Sequence, residues 1–89
     1  MTERELVQVF AVNCKQMRLA IDMSQVELAK AAGTTQDHLS QLEAALVAPR
    51  IGILARLAKA LQTTPAALLT PGASSPSPRK RRSKATASV

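Results

Sequence analysis

The stretch SQVELAKAAGTTQDHLSQLE, residues 24–43, constrains this chain more than any other, because it sets two short helical patterns on either side of a Gly-Thr-Thr break. Ser24 is a good helix N-cap and Glu27 follows at capping-box spacing, while Leu28, Ala29 and Ala32 share one face. Gly33 tolerates the positive φ at which such a helix ends. Thr35 caps a second helix, whose inner side is Leu39 and Leu42 and whose outer side is Gln36, Asp37, Ser40 and Gln41. A small residue at the crossing, Ala29, lets the two helices approach at a steep angle, and Gly33 lets the backbone reverse within a few residues. Two architectures satisfy this: an αα-hairpin in an ordinary small bundle, or a helix-turn-helix holding its second helix outward.

The flanks decide the fold class. Leu6, Phe10, Cys14, Met17 and Ile21 recur at helical spacing, which predicts a first helix from about Thr2 to Ala20. After the break at Pro49, Ile51, Leu54, Leu57, Ala58 and Leu61 repeat the pattern. Thr64-Pro65 then caps a short last helix through Leu69, and Pro71-Gly72 closes the domain. No stretch alternates as a half-buried strand does. The expectation is an all-α bundle of four to five helices over residues 1–71.

Residues 72–89 differ in kind. They hold almost no large apolar side chain and cannot bury enough surface to offset their ordering entropy, so a disordered tail is expected. Five of the 12 basic residues, Arg79, Lys80, Arg81, Arg82 and Lys84, lie there. The remaining seven face all 6 acids, so a formal charge of +6 conceals a nearly neutral body. Bulk charge therefore does not argue that the folded part binds a polyanion. At 89 residues the chain has room for one small domain. Its single cysteine cannot form an internal disulfide, and no Cys/His set has zinc spacing. A charged start without a signal-like apolar run, and no membrane-length segment, fit a soluble protein of a reducing cytoplasm, with no membrane association. No carboxylate pair, nucleophile-base set or glycine-rich phosphate loop is present, so neither an enzyme nor a cofactor is expected.

The outer face of the second short helix separates the two architectures. Gln36, Asp37, His38, Ser40 and Gln41 are hydrogen-bonding groups of short or medium reach without one Lys or Arg. A solvated face usually carries Lys and Glu in quantity, whereas an amide presents a donor and an acceptor together, as adenine N6 and N7 require in the major groove.

With SQVELAKAAGTTQDHLSQLE followed by PRIGILARLAKALQTTPAALL, the chain resembles the helix-turn-helix domain of the Cro and phage-repressor (XRE) family, closest in motif to the lambdoid phage repressors. The resemblance covers roughly Lys15 to Leu69. It implies Gln36 as the principal base reader, of adenine, with Gln41 a second contact and Asp37 and Ser40 beside them. It implies that Gln25 touches a phosphate and braces the Gln36 amide, and that Thr35 lies between cap and backbone contact. Arg18 and Glu43 match a pair that forms a buried salt bridge in the repressors, tying the first helix to the end of the recognition helix. The chain departs in two places. Ala44-Ala45 replaces a pattern that ends in glycine, so the recognition helix is expected to run on longer. Asp37 puts a carboxylate where an amide is frequent, to accept from a cytosine N4 amine or to repel the phosphates of wrong sequences.

Single residues complete the reading. His38, with no nucleophile or carboxylate pair arranged beside it, is a surface or phosphate-proximal residue rather than a base. Cys14 belongs to the core stripe rather than to a redox switch. Lys15 and Arg50 are read as flanking phosphate contacts. The expected function is a sequence-specific regulator of transcription, most simply a repressor, cytoplasmic and nucleoid-associated in a bacterium or encoded by a phage. It would bind double-stranded DNA at a pseudo-palindrome as a homodimer, with dimer contacts from Leu61 to Leu69 and the first helix. The competing function is a protein-interaction module, such as an antitoxin or a polymerase adaptor, whose basic tail binds DNA without sequence preference. The tail is read as a nonspecific arm, since five charges beside a neutral reader raise affinity through counterion release. Deleting Arg79 to Lys84 is expected to weaken binding to every duplex by a similar factor and to flatten its salt dependence, as fluorescence titrations across a salt series will register.

Overall fold

Hydroxyl side chains start four of the five helices. The computed structural model describes residues 1–73, so the tail cluster Arg79, Lys80, Arg81, Arg82 and Lys84 lies outside the described residues. Helix α1, Glu3–Ala20, begins at Thr2 in a capping box with Glu5. Helix α2, Gln25–Ala32, begins at Ser24 in a second box with Glu27, whose carboxyl pKa is lowered by the Ser24 backbone and side-chain hydrogen bonds. Helix α3, Gln36–Glu43, is capped by Thr35, and α5, Pro65–Leu68, by Thr64 with Pro65 in its first turn. Only α4, Ile51–Ala60, starts without a side-chain cap, at Arg50. The described residues contain no strand, and none of their helices is long and apolar enough to cross a membrane.

The first four helices end alike. A left-handed residue follows each: Asp22 at φ 58°, Gly33 at 71°, Ala45 at 61° and Gln62 at 60°. The next N–H then turns back to a helix carbonyl, from Met23 to Arg18 at 3.1 Å, Thr34 to Ala29 at 2.8 Å, Leu46 to Gln41 at 3.0 Å and Thr63 to Ala58 at 2.9 Å. These are Schellman closures, which satisfy carbonyls that a helix end otherwise leaves open. The expected longer recognition helix is therefore not found. Helix α3 stops at Glu43 because the chain reverses at Ala45, where the left-handed position is held by an alanine against its own steric preference.

One core joins the helices. Phe10, Cys14 and Met17 of α1 meet Leu28, Ala29 and Ala32 of α2, Leu39 and Leu42 of α3, Ile53, Leu54, Leu57 and Ala58 of α4, and Leu61 and Leu68 beyond it. Helix α2 packs on α3 and α4, while α1 packs on α3 and α5. Three residues of the apolar stripes lie outside this core: Leu6, half-buried near the start of α1, Ile21 and Ile51. Ile21 is the C-cap of α1, past the end of its contact face, and Ile51 occupies the first turn of α4, where Ile53 is buried in its place.

The four-residue α5 is held by a residue that the apolar pattern passes over. Asn13 is buried on the inner face of α1, and its amide donates to the carbonyls of Leu68 at 3.0 Å and Thr70 at 2.9 Å. It satisfies the open end of α5 and ties the last helix to the first. The left-handed alanine generates the test of this architecture. Relief of about 1–2 kcal/mol of strain, less the backbone entropy of about 0.5–1 kcal/mol that glycine adds to the unfolded chain, leaves a net gain. Ala45→Gly is expected to stabilise the domain by about 0.5–1 kcal/mol, a rise of roughly 2–8 °C in Tm for a domain of this size, read by calorimetry.

Candidate nucleic-acid interface

The outward face of α3 is built from both of its ends. At the start, Thr35 accepts the His38 backbone N–H at 3.1 Å, and Thr34 Oγ1 lies 2.9 Å from His38 Nδ1, so the turn and the first helical turn are joined twice. His38 is thereby half-buried against the turn. Gln36, Asp37, Ser40 and Gln41 project into solvent together, as the alternation with buried Leu39 and Leu42 requires.

The far end is fixed by charge. Arg18 Nε donates to Glu43 Oε2 at 2.8 Å and its Nη2 to Oε1 at 3.0 Å, a two-pronged bond between α1 and the last residue of α3. The side chains are 9% and 3% exposed, so little water screens the pair. Arg18 Nη1 also donates to the Met23 carbonyl at 2.9 Å, fastening the α1–α2 turn to the same guanidinium. The hydrogen bond to Glu43 raises the Arg18 pKa above its already high ordinary value. The structure thus contains the ion pair that the resemblance implied.

Gln25 and Cys14 complete the surroundings of Glu43. The Gln25 amide Nε2 donates to Glu43 Oε1 at 3.1 Å, which places that amide at the end of α3 rather than against Gln36 as a brace. The Cys14 thiol lies 3.9 Å from Oε2, and burial and then the carboxylate push its pKa up to about 12. A thiol held protonated at neutral pH is a poor nucleophile, in keeping with a core role.

Lys15 is exposed on α1, its side chain outside the ion pair and side-chain hydrogen bonds of the described residues, while Arg50 stands exposed at the uncapped start of α4. That uncapped start is a feature the sequence reading passed over. Its signal was legible, because Pro49-Arg50 offers none of the Ser, Thr, Asp or Asn that open the other helices. The N–H groups there, with the adjacent guanidinium, favour an anion. From residue 31 to residue 49 there is no Lys or Arg, and Glu43 is matched by Arg18, which leaves Asp37 as the exposed formal charge on α3. Such a face discriminates by hydrogen bonds and attracts by other parts of the molecule. Among the described residues no cluster of His, Cys, Asp and Glu could hold a metal ion.

Comparison with known proteins agrees with this geometry. Residues 15–68 match the helix-turn-helix family of the XRE type. The fold is similar to the crystal structure of the hypothetical transcription factor NHTF from Neisseria, with a TM-score of 0.72 and 26% identity, covering 91% of this chain and 87% of that one. A comparison with curated proteins found no match. The match spans more than half of the chain, and the chain belongs to the helix-turn-helix family.

The ion pair has a measurable signature. Arg18→Met is expected to cost about 3–5 kcal/mol by leaving the Glu43 carboxylate buried and unmatched. Urea unfolding followed by circular dichroism will show this as a lowered midpoint. The double variant Arg18→Met/Glu43→Met is expected to lie closer to the parent protein than Arg18→Met does, because no buried charge is then stranded.

Proposed function

We propose that this helix-turn-helix protein is a sequence-specific, non-enzymatic regulator of transcription that lays α3 in the major groove of double-stranded DNA and represses from a pseudo-palindromic operator as a homodimer. The observation that carries this reading is the exposed face of α3, four short polar side chains without a cation, held rigid by Thr34, Thr35 and His38 at one end and by Glu43, Arg18 and Gln25 at the other. Rigid presentation is what base reading needs, since a hydrogen-bonding pair discriminates between bases only when its geometry is set in advance. The transcription-factor title of the similar Neisseria protein supports the same assignment.

In this reading Gln36 and Gln41 pair with adenine edges, Asp37 accepts from a cytosine amine, and Ser40 adds a shorter contact. Phosphates are met by Thr35 and His38 at the turn, by Gln25 at the start of α2, by Lys15 on α1, and by Arg50 with the open N–H groups of α4. These contacts position the helix and carry no sequence information. The domain spans residues 1–71, and residues 72–89 form an arm whose Arg79, Lys80, Arg81, Arg82 and Lys84 add affinity to any sequence. Two copies, with half-sites about one helical turn apart, raise the number of bases read. Such a protein works in the cytoplasm, on the nucleoid of a bacterium or on phage DNA.

Selection from a random duplex library at about 0.15 M salt, where nonspecific binding is partly suppressed, tests the proposal. The expected result is a two-fold symmetric site whose preference relaxes at one position per half-site in Gln36→Ala. The absence of any motif, with binding that vanishes as salt rises, would instead favour a protein-interaction module of the antitoxin or polymerase-adaptor kind.

A further inference from the structure

The connection from α3 into α4 is unusually apolar for surface chain. Residues 44–55 read AALVAPRIGILA, with Arg50 the one charged side chain. Ala44, Leu46, Ala48, Ile51, Gly52 and Ala55 are all exposed, Leu46 at 73% and Ile51 at 81%. Scattered exposed apolar side chains need no explanation, but Leu46 and Ile51 are two large ones within six residues of one apolar run. Leu46 follows the left-handed Ala45, a place from which an apolar side chain ordinarily packs back onto the helix it closes. Here the corresponding helix position is the exposed, polar Gln41, which offers Leu46 no apolar side chain on α3.

Leu46 also lines a groove of about 280 Å³, together with Val7, Ala45 and Val47 and with Glu3 and Arg4. The one ion pair among the described residues is Arg18 with Glu43, so neither Glu3 nor Arg4 is matched. Of the segment Leu61 to Leu69, where the sequence placed dimer contacts, Leu61 and Leu68 are buried in the protein's own core, Leu69 is half-buried, and Gln62, Thr64, Pro65 and Ala66 are exposed.

We propose that this surface receives a second copy of the chain, with Leu46 and Ile51 of the two copies packed together and Glu3 of each copy paired with Arg4 of the other. The inference rests on the dimeric reading above and names the surface that makes the dimer. A two-fold contact sets a patch against itself and so must be self-complementary, which an apolar patch flanked by one acid and one base satisfies. A partner of single-sign charge would call for an excess of the opposite sign here. The patch also continues directly from the last turn of α3, so a copy seated on it carries its own α3 at a set distance, as reading two half-sites demands.

Sedimentation equilibrium of the full 89-residue chain, with binding to the selected two-fold duplex, tests the surface. Leu46→Glu and Ile51→Glu are expected to raise the dimer dissociation constant by about a hundredfold or more while melting as the parent does at concentrations where both are monomeric, because both side chains are exposed in the single chain. Leu46→Glu keeps single half-site binding and loses joint occupancy of the two-fold site. Glu3→Arg weakens the dimer, Glu3→Arg/Arg4→Glu restores it, and Val12→Glu, on the exposed side of α1, leaves it unchanged. A two-fold site still jointly occupied by Leu46→Glu, or a dimer broken by Val12→Glu alone, overturns this surface and leaves the dimeric reading standing. A parent chain that stays monomeric and selects no two-fold site removes the dimeric reading itself.

Discussion

The two-pronged bond between Arg18 and Glu43 is the constraint on which the interface depends. It joins the last turn of the first helix to the final residue of α3, across a gap that the core alone would leave to apolar contacts. Apolar packing is not directional and tolerates small slides, whereas a guanidinium facing a carboxylate has a single favourable orientation. The same guanidinium holds the Met23 carbonyl and the same carboxylate receives Gln25, so α1, the α1–α2 turn, α2 and α3 meet at one buried charge pair. A buried ion pair is weak evidence for stability, because its desolvation offsets much of its attraction. Its worth here lies in where it puts the outer face of α3.

Local backbone chemistry provides the complement. With caps of Thr2, Ser24, Thr35 and Thr64 and left-handed closures after four helices, each short helix starts and stops at a set residue. This matters because helices of eight residues have little stability alone and must be delimited by the chain and completed by packing. Only one of those four closures uses glycine. The strain accepted at Asp22, Ala45 and Gln62 is the counterpart of turns short enough to fold five helices within 73 residues.

Much of this was legible beforehand. The Ser24–Glu27 capping box, the Gly33 turn and the inward Leu39 and Leu42 followed from residue type and spacing, since these are local rules needing only neighbours in sequence. Reading failed where the answer depended on distant parts of the chain. Ile51 matched the helical period as well as its neighbours did, and only the docking of α4 determined that Ile53 is covered instead. Asn13 lies on the core face of α1 at helical spacing, yet nothing local reveals that the carbonyls of Leu68 and Thr70 await it. The end of α3 was misjudged for the same reason: alanine is the best helix former, and its local preference is overridden by the need to bring α4 back onto α2.

The sequence by itself determined the class, an all-α bundle of four to five helices with the capped starts at Ser24, Thr35 and Thr64, and the polar, cation-free character of α3's outer face, because periodicity, caps and residue chemistry are properties of short segments. Tertiary structure decided how those segments are used. It turned Gln25 to Glu43 instead of Gln36, buried the charges of Arg18 and Glu43 together, and left Leu46 and Ile51 in solvent. Each of these outcomes is a contact or an exposure set by residues far apart in the chain, and only the packing of the helices could fix it.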